Sequence, residues 1–101
     1  IEEQYGKDYI HFLKTVRKCN GAKTKIICAM GSMDYYFYDT MVNAVNAYKA
    51  ETNDKNVYCF KYCRMSPVDP VGACGHPSEV TQQKMAKELT AFIQKLEETT
   101  V

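Results

Sequence analysis

The sequence predicts α/β architecture, and only part of a complete sheet. Two short β-branched or aromatic runs, "TKIICAM" and "VYCFKY", alternate with longer segments whose apolar residues recur at helical spacing. Both runs are apolar almost throughout, as in parallel strands covered on both faces by helices. Strands joined through helices of this length run parallel with right-handed crossovers. Two such strands do not make a stable parallel sheet on their own. The remaining strands are therefore expected from outside these 101 residues, in the same polypeptide or in a second chain.

Between Glu2 and Lys18 the residues Tyr5, Tyr9, Phe12, Leu13 and Val16 recur at helical spacing, and Asn20-Gly21 ends the pattern. A strand is expected at Lys25–Met30, bounded by Gly31, and "GSMDYYFYD" reads as a loop. From Tyr38 to Ala50 a second stripe carries Met41, Val42, Val45 and Tyr48. The polar turn "ETNDKN" leads into a second strand at Val57–Tyr62. The long irregular stretch "CRMSPVDPVGACGHP" follows, and then a last helix with Val80, Met85, Leu89, Phe92, Ile93 and Leu96 on one face. No internal repeat, low-complexity tract or interdomain linker interrupts this order.

Composition bounds the function. A chain of 101 residues with 46% hydrophobic and 25% charged residues is an ordinary globular domain, or a piece of one. A net charge of +1 leaves no basic footprint for nucleic acid, and no apolar run has the length of a membrane span. The opening "IEEQYGKDYIHFL" is already amphipathic, with neither an initiating Met nor the apolar region of a signal peptide. The expectation is a chain that starts inside a longer polypeptide.

One of only two histidines, His76, precedes a Pro-Ser pair at the start of the last helical pattern. Pro77 favours an extended backbone at His76, and Ser78 is suited to cap the helix. The loop outside the carboxyl end of a parallel strand is where open α/β sheets place ligands. Imidazole, with an ordinary pKa of about 6.5, both accepts and returns a proton near neutral pH. His76 is thus either an exposed loop residue in a capping sequence or a general base whose nucleophile lies elsewhere. His11, between Ile10 and Phe12, reads as a solvated or boundary residue. Ser32 in "GSMD" is outside any Gly-x-Ser-x-Gly elbow and reads as structural.

"YIHFLKTVRKCNGAKTKIICAMGSM", "AYKAETNDKNVYCFKY" and "GACGHPSEVTQQKMAKELTAFI" together resemble the C-terminal portion of an SGNH (GDSL-type) hydrolase. Within that group they are most similar to the acetyl esterases of carbohydrate esterase family two. The resemblance runs from about Tyr9 to Leu96, and its most specific element is the His-Pro-Ser before a helix. It implies that residues 1–101 are the C-terminal half of a single three-layer α/β/α, flavodoxin-like domain with a parallel sheet. It also implies that His76 is the general base and that Met33, Asp34 and Tyr35 line the substrate pocket. The nucleophilic serine and the oxyanion-hole residues of such enzymes belong to blocks that precede this segment. The activity implied is removal of acetyl groups from plant cell-wall polysaccharide, secreted and without a cofactor. The alternative is a non-catalytic carbohydrate-binding or interaction module that keeps the fold without the chemistry.

Many members of the family carry Asp-Trp immediately before the histidine, where this chain has Cys74-Gly75. Orientation of the imidazole is then expected from a backbone carbonyl, or from Asp69 if the loop folds back. Five cysteines include no C-x-x-C, and Cys59-x-x-x-Cys63 is weak evidence for zinc, so no metal is expected. Cys28 and Cys59 read as buried small hydrophobes. Cys63 and Cys74 share the loop that carries His76, and secretion would permit a disulfide between them that pins it.

Overall fold

The computed structural model describes residues 1–31, 36–65, 69, 71–72 and 75–99. Five elements follow one another: α1 (Glu2–Asn20), β1 (Ile26–Met30), α2 (Tyr38–Thr52), β2 (Val57–Lys61) and α3 (Glu79–Thr99). This is the α/β order expected, with each strand a residue shorter than the pattern suggests and the helices running slightly further.

The two strands form one sheet. The Ile26 amide donates to the Asn56 carbonyl at 2.8 Å, and the Tyr62 amide donates to the Met30 carbonyl at 3.0 Å. Both partners advance together along the chain, which defines a parallel pair. The corresponding register sets Cys28 beside Cys59 and Met30 beside Lys61.

The chain divides into two compact units, residues 1–28 with 36–59 and residues 29–35 with 60–101. In the first unit α1 and α2 pack on each other. The face of α1 runs through Tyr5, Tyr9, Leu13 and Val16, with Leu13 only 1% exposed. Phe12, counted in the stripe from sequence, is 57% exposed instead. It is adjacent to Leu13, a helical step of about 100° away, so the two cannot both face the same partner. Glu2 and Glu3 in the first turn and Arg17 and Lys18 in the last compensate the helix dipole. Gly21, at φ 82°, ends the helix and donates its amide to the Arg17 carbonyl at 3.1 Å.

On α2 the buried residues are Met41, Ala44, Val45 and Tyr48, a spacing of i, i+3, i+4 and i+7 that defines one helical face. Ala44 takes the inward position that Val42 was expected to share. Asn53 closes the helix in the left-handed conformation, φ 59°, and donates to the Lys49 carbonyl at 2.8 Å. Leu13, Cys28, Met41, Ala44, Val45, Tyr48 and Val57 form the buried core of this unit.

A polar lock closes its end. The Arg17 guanidinium donates to Asp54 through Nε (2.7 Å) and Nη2 (3.2 Å), and to the carbonyls of Gly21, Thr24 and Asn56 at 2.6, 2.6 and 3.2 Å. The Tyr48 hydroxyl donates to Asp54 Oδ2 at 2.7 Å, and the Asn56 amide donates to Oδ1 at 2.9 Å. Burial by itself would raise the Asp54 carboxyl, but the hydrogen bonds from Arg17 and Tyr48 outweigh it and hold the group below the usual carboxylate range. The guanidinium is raised in turn, chiefly by its bond to Asp54.

The second unit is built differently. Phe60 packs on Phe92 of α3 with ring centroids 4.8 Å apart, and on Tyr62 edge-on at 4.8 Å. The face of α3 that carries Met85, Leu89, Phe92 and Leu96 is only half-buried, while Val80 is 61% and Ile93 38% exposed. Both strands read from sequence as buried throughout. Among the described residues, however, β1 buries only Cys28 and β2 only Val57. A strand is buried on both faces only when further strands and helices flank it.

Candidate functional site

The site is the loop between β2 and α3, in the second unit. After the Tyr62–Met30 bond the chain leaves the sheet. The Cys63 amide then donates to the Glu88 carboxylate on α3 at 2.8 Å. Further along, the Asp69 carboxylate accepts from the Lys84 ammonium at 3.1 Å. The Asp69 side chain is 12% exposed and that of Lys84 53%. The bond to Asp69 raises the Lys84 pKa.

The return arm is a narrow turn. Val71 and Pro77 form an isolated antiparallel bridge, and the Gly72 amide donates to the His76 carbonyl at 2.7 Å. Reversal between these arms passes through Gly75 at φ 74°, a conformation that a side chain would strain. The backbone carbonyl of His76 is therefore fixed, while the residue itself is exposed. Among the described residues the imidazole has no hydrogen-bond partner. Ser78 then opens α3 as expected of a cap: its Oγ accepts the Thr81 amide at 3.4 Å, and its carbonyl accepts the Gln82 amide at 2.8 Å. The Gln82 side-chain amide reaches back to the Pro77 carbonyl at 3.0 Å. Thr81, 3% exposed, lies beneath this turn and meets the Ser78 hydroxyl at 3.5 Å.

The sequence pattern thus located the histidine and the cap, and the structure adds the positive-φ glycine before them. Met33, Asp34 and Tyr35, with Ser32, lie outside the described residues. Cys63 is exposed with a free thiol, and Cys74, the partner expected for it, lies outside the described residues. Asp69, named as one candidate to orient His76, accepts from Lys84 through Oδ1. Sequence reasoning missed the contacts of Lys84 and Glu88, although their i, i+4 spacing places both on one side of α3.

Other groups offer less chemistry. Burial pushes the thiols of Cys28 and Cys59 upward, and a protonated thiol is a poor nucleophile. His11 is exposed on α1. A cavity of about 580 Å³ in the first unit is lined by Lys14, Arg17, Lys18 and Lys55, with Tyr48 and Asp54 of the polar lock. Among the described residues no cluster of three His, Cys, Asp or Glu side chains could hold a metal ion. No helix among them is long and apolar enough to cross a membrane.

No family model matches this sequence, and no curated protein matches it. Solved structures do. An acetyl xylan esterase, Est2A, from the rumen bacterium Butyrivibrio proteoclasticus superposes with a TM-score of 0.89 at 25% sequence identity. The match covers 96% of this chain but 25% of the esterase chain, so this segment spans about a quarter of the length of the protein it matches. In its α/β fold the chain is similar to part of an acetyl xylan esterase.

Proposed function

We propose that this chain is the C-terminal half of a single SGNH-type hydrolase domain, and that the completed domain is a secreted esterase removing acetyl groups from plant cell-wall polysaccharide. The observation that carries the reading is the structural likeness to an acetyl xylan esterase over nearly the whole chain. The sparse burial of both strands supports the missing half. A parallel pair with open edges and half-covered faces calls for further strands and a helix layer.

In this reading His76 is the general acid-base. It accepts the hydroxyl proton of a serine supplied by the other half as the serine oxygen attacks the acetyl carbonyl. It then returns that proton to the sugar oxygen as the ester bond breaks. Water, deprotonated by the same imidazole, then attacks the acetyl-serine, and the imidazolium returns that proton to the serine oxygen as acetate leaves. The exposed position of His76 leaves it open to a second layer carrying that serine. A backbone carbonyl or Asp69 orients the ring. Met33, Asp34 and Tyr35 contact the substrate.

The test is acetate release from acetylated xylan by the polypeptide that includes the residues upstream of Ile1. His76→Ala should lower the rate by about 100-fold or more with the fold intact. A variant that keeps the parent rate overturns the assignment. Failure of the parent to release acetate, with polysaccharide binding retained, would instead support the non-catalytic binding module.

A further inference from the structure

Helix α3 does more in this structure than follow the His76 loop. Four of its residues bond to that loop, and they do so at separate points along it. Glu88 accepts the Cys63 amide where the loop leaves the strand. Lys84 donates to Asp69 midway. Gln82 donates to Pro77 immediately after the histidine, and the Thr81 amide donates to Ser78. All of these residues belong to one compact unit. The last two contacts are the ordinary devices of a helix start. The first two are not, because they join residues 25 and 15 positions apart in sequence. Neither is explained by core formation, since Lys84 and Cys63 are exposed.

We propose that Lys84 and Glu88 are positioning residues that clamp the loop to α3 and set the placement of His76. The inference rests on the general acid-base role proposed for that histidine. A turn anchored only at its end could pivot about Pro77. Two further anchors on the outgoing arm remove that freedom, because Cys63 and Asp69 are then held to the same helix that begins at Glu79. The antiparallel bridge between Val71 and Pro77 passes the restraint from one arm to the other. A general base must lie within hydrogen-bonding reach of its proton, and small misplacement is costly in rate. The clamp therefore acts on turnover and leaves substrate affinity largely unchanged.

The experiment uses the polypeptide that includes the upstream residues, with 4-nitrophenyl acetate as the probe. Lys84→Met and Glu88→Ala should each lower kcat by about fivefold, the order expected from losing one exposed charged contact, with KM within about twofold. Lys84→Arg should restore most of kcat, because it keeps the donor. Asp69→Asn, which removes the partner charge while preserving shape, should match Lys84→Met. The decisive comparison is the double variant. In a His76→Ala background Lys84→Met should cost nothing further, since the clamp acts only through the ring. Parent kcat in both Lys84→Met and Asp69→Asn, or an undiminished effect of Lys84→Met without His76, would overturn the clamp. Parent activity in His76→Ala alone would instead overturn the catalytic reading on which it rests. Should a variant not fold, raising salt on the parent protein gives a second readout. Screening of the partly exposed Lys84–Asp69 pair should lower kcat of the parent. Lys84→Arg should then exceed the parent at equal ionic strength, because a forked guanidinium contact resists screening better. A kcat independent of salt in both proteins would count against the clamp.

Discussion

The two compact units of this chain divide the physical chemistry between them. Among the described residues the first contains all seven buried hydrophobic side chains, and Thr81 is the one buried residue of the second. The first carries its own stabilisation, with two helices packed on each other and a buried face closed by the Arg17–Asp54–Tyr48 lock. The second holds a helix with a half-covered apolar face and a loop tied down by hydrogen bonds. Hydrophobic burial is non-directional and tolerates variation in detail. Hydrogen bonds fix distances and angles, which is what a general base requires. The contrast separates a part that makes the chain fold from a part that presents a histidine.

Truncation of the core should expose that difference most strongly. Leu13→Ala should destabilise the protein by about 3 kcal/mol, because it leaves a cavity at a fully buried position. Ile93→Ala, on the exposed side of α3, should cost well under about 1 kcal/mol in this segment studied alone. The cost of Ile93→Ala should rise when the upstream residues are included, if they cover that face. Urea denaturation of both variants, with and without the upstream residues, measures all four values. Equal costs at the two sites in this segment would erase the distinction between the units.

Arg17→Met comes next, at about 2 kcal/mol, since it leaves the largely buried Asp54 carboxylate without its cation. The same lock sets a pH dependence. The folded-state pKa of Asp54 lies below its ordinary value, so the unfolded chain binds the proton more readily. The stabilisation is fully present above the unfolded pKa of about 3.9 and is lost as pH falls through the lower folded value. Asp54→Asn should remove this component of the acid dependence, read from melting temperature against pH. An unchanged acid limb in that variant would mean that other carboxylates set it.

The smallest effect is expected at the proposed catalytic position. His76→Ala should change stability by no more than about 0.5 kcal/mol, because the ring is exposed and has no bonding partner among the described residues. The backbone bond from Gly72 to the His76 carbonyl survives the substitution. A loss of several degrees in melting temperature would show that the imidazole has a structural duty.

The positions of all five elements were legible in the sequence, because helices and strands are written in local spacing. Met41, Val45 and Tyr48 recur at intervals that only a helix brings to one side. The Asn20-Gly21 and Pro77-Ser78 pairs mark helix ends through their own backbone preferences. Even the cap at Ser78 depends on residues within a few positions of each other. Tertiary structure decided what spacing does not encode. Phe12 faces outward and Ala44 inward because packing of α1 against α2 selects one of two adjacent stripes. Arg17 meets Asp54 across 37 positions, Glu88 meets Cys63 across 25 and Lys84 meets Asp69 across 15. A charged side chain in a sequence carries no mark of its partner. Which carboxylate it finds depends on where the folded backbone brings the two within about 3 Å, and that distance exists only once the chain has packed.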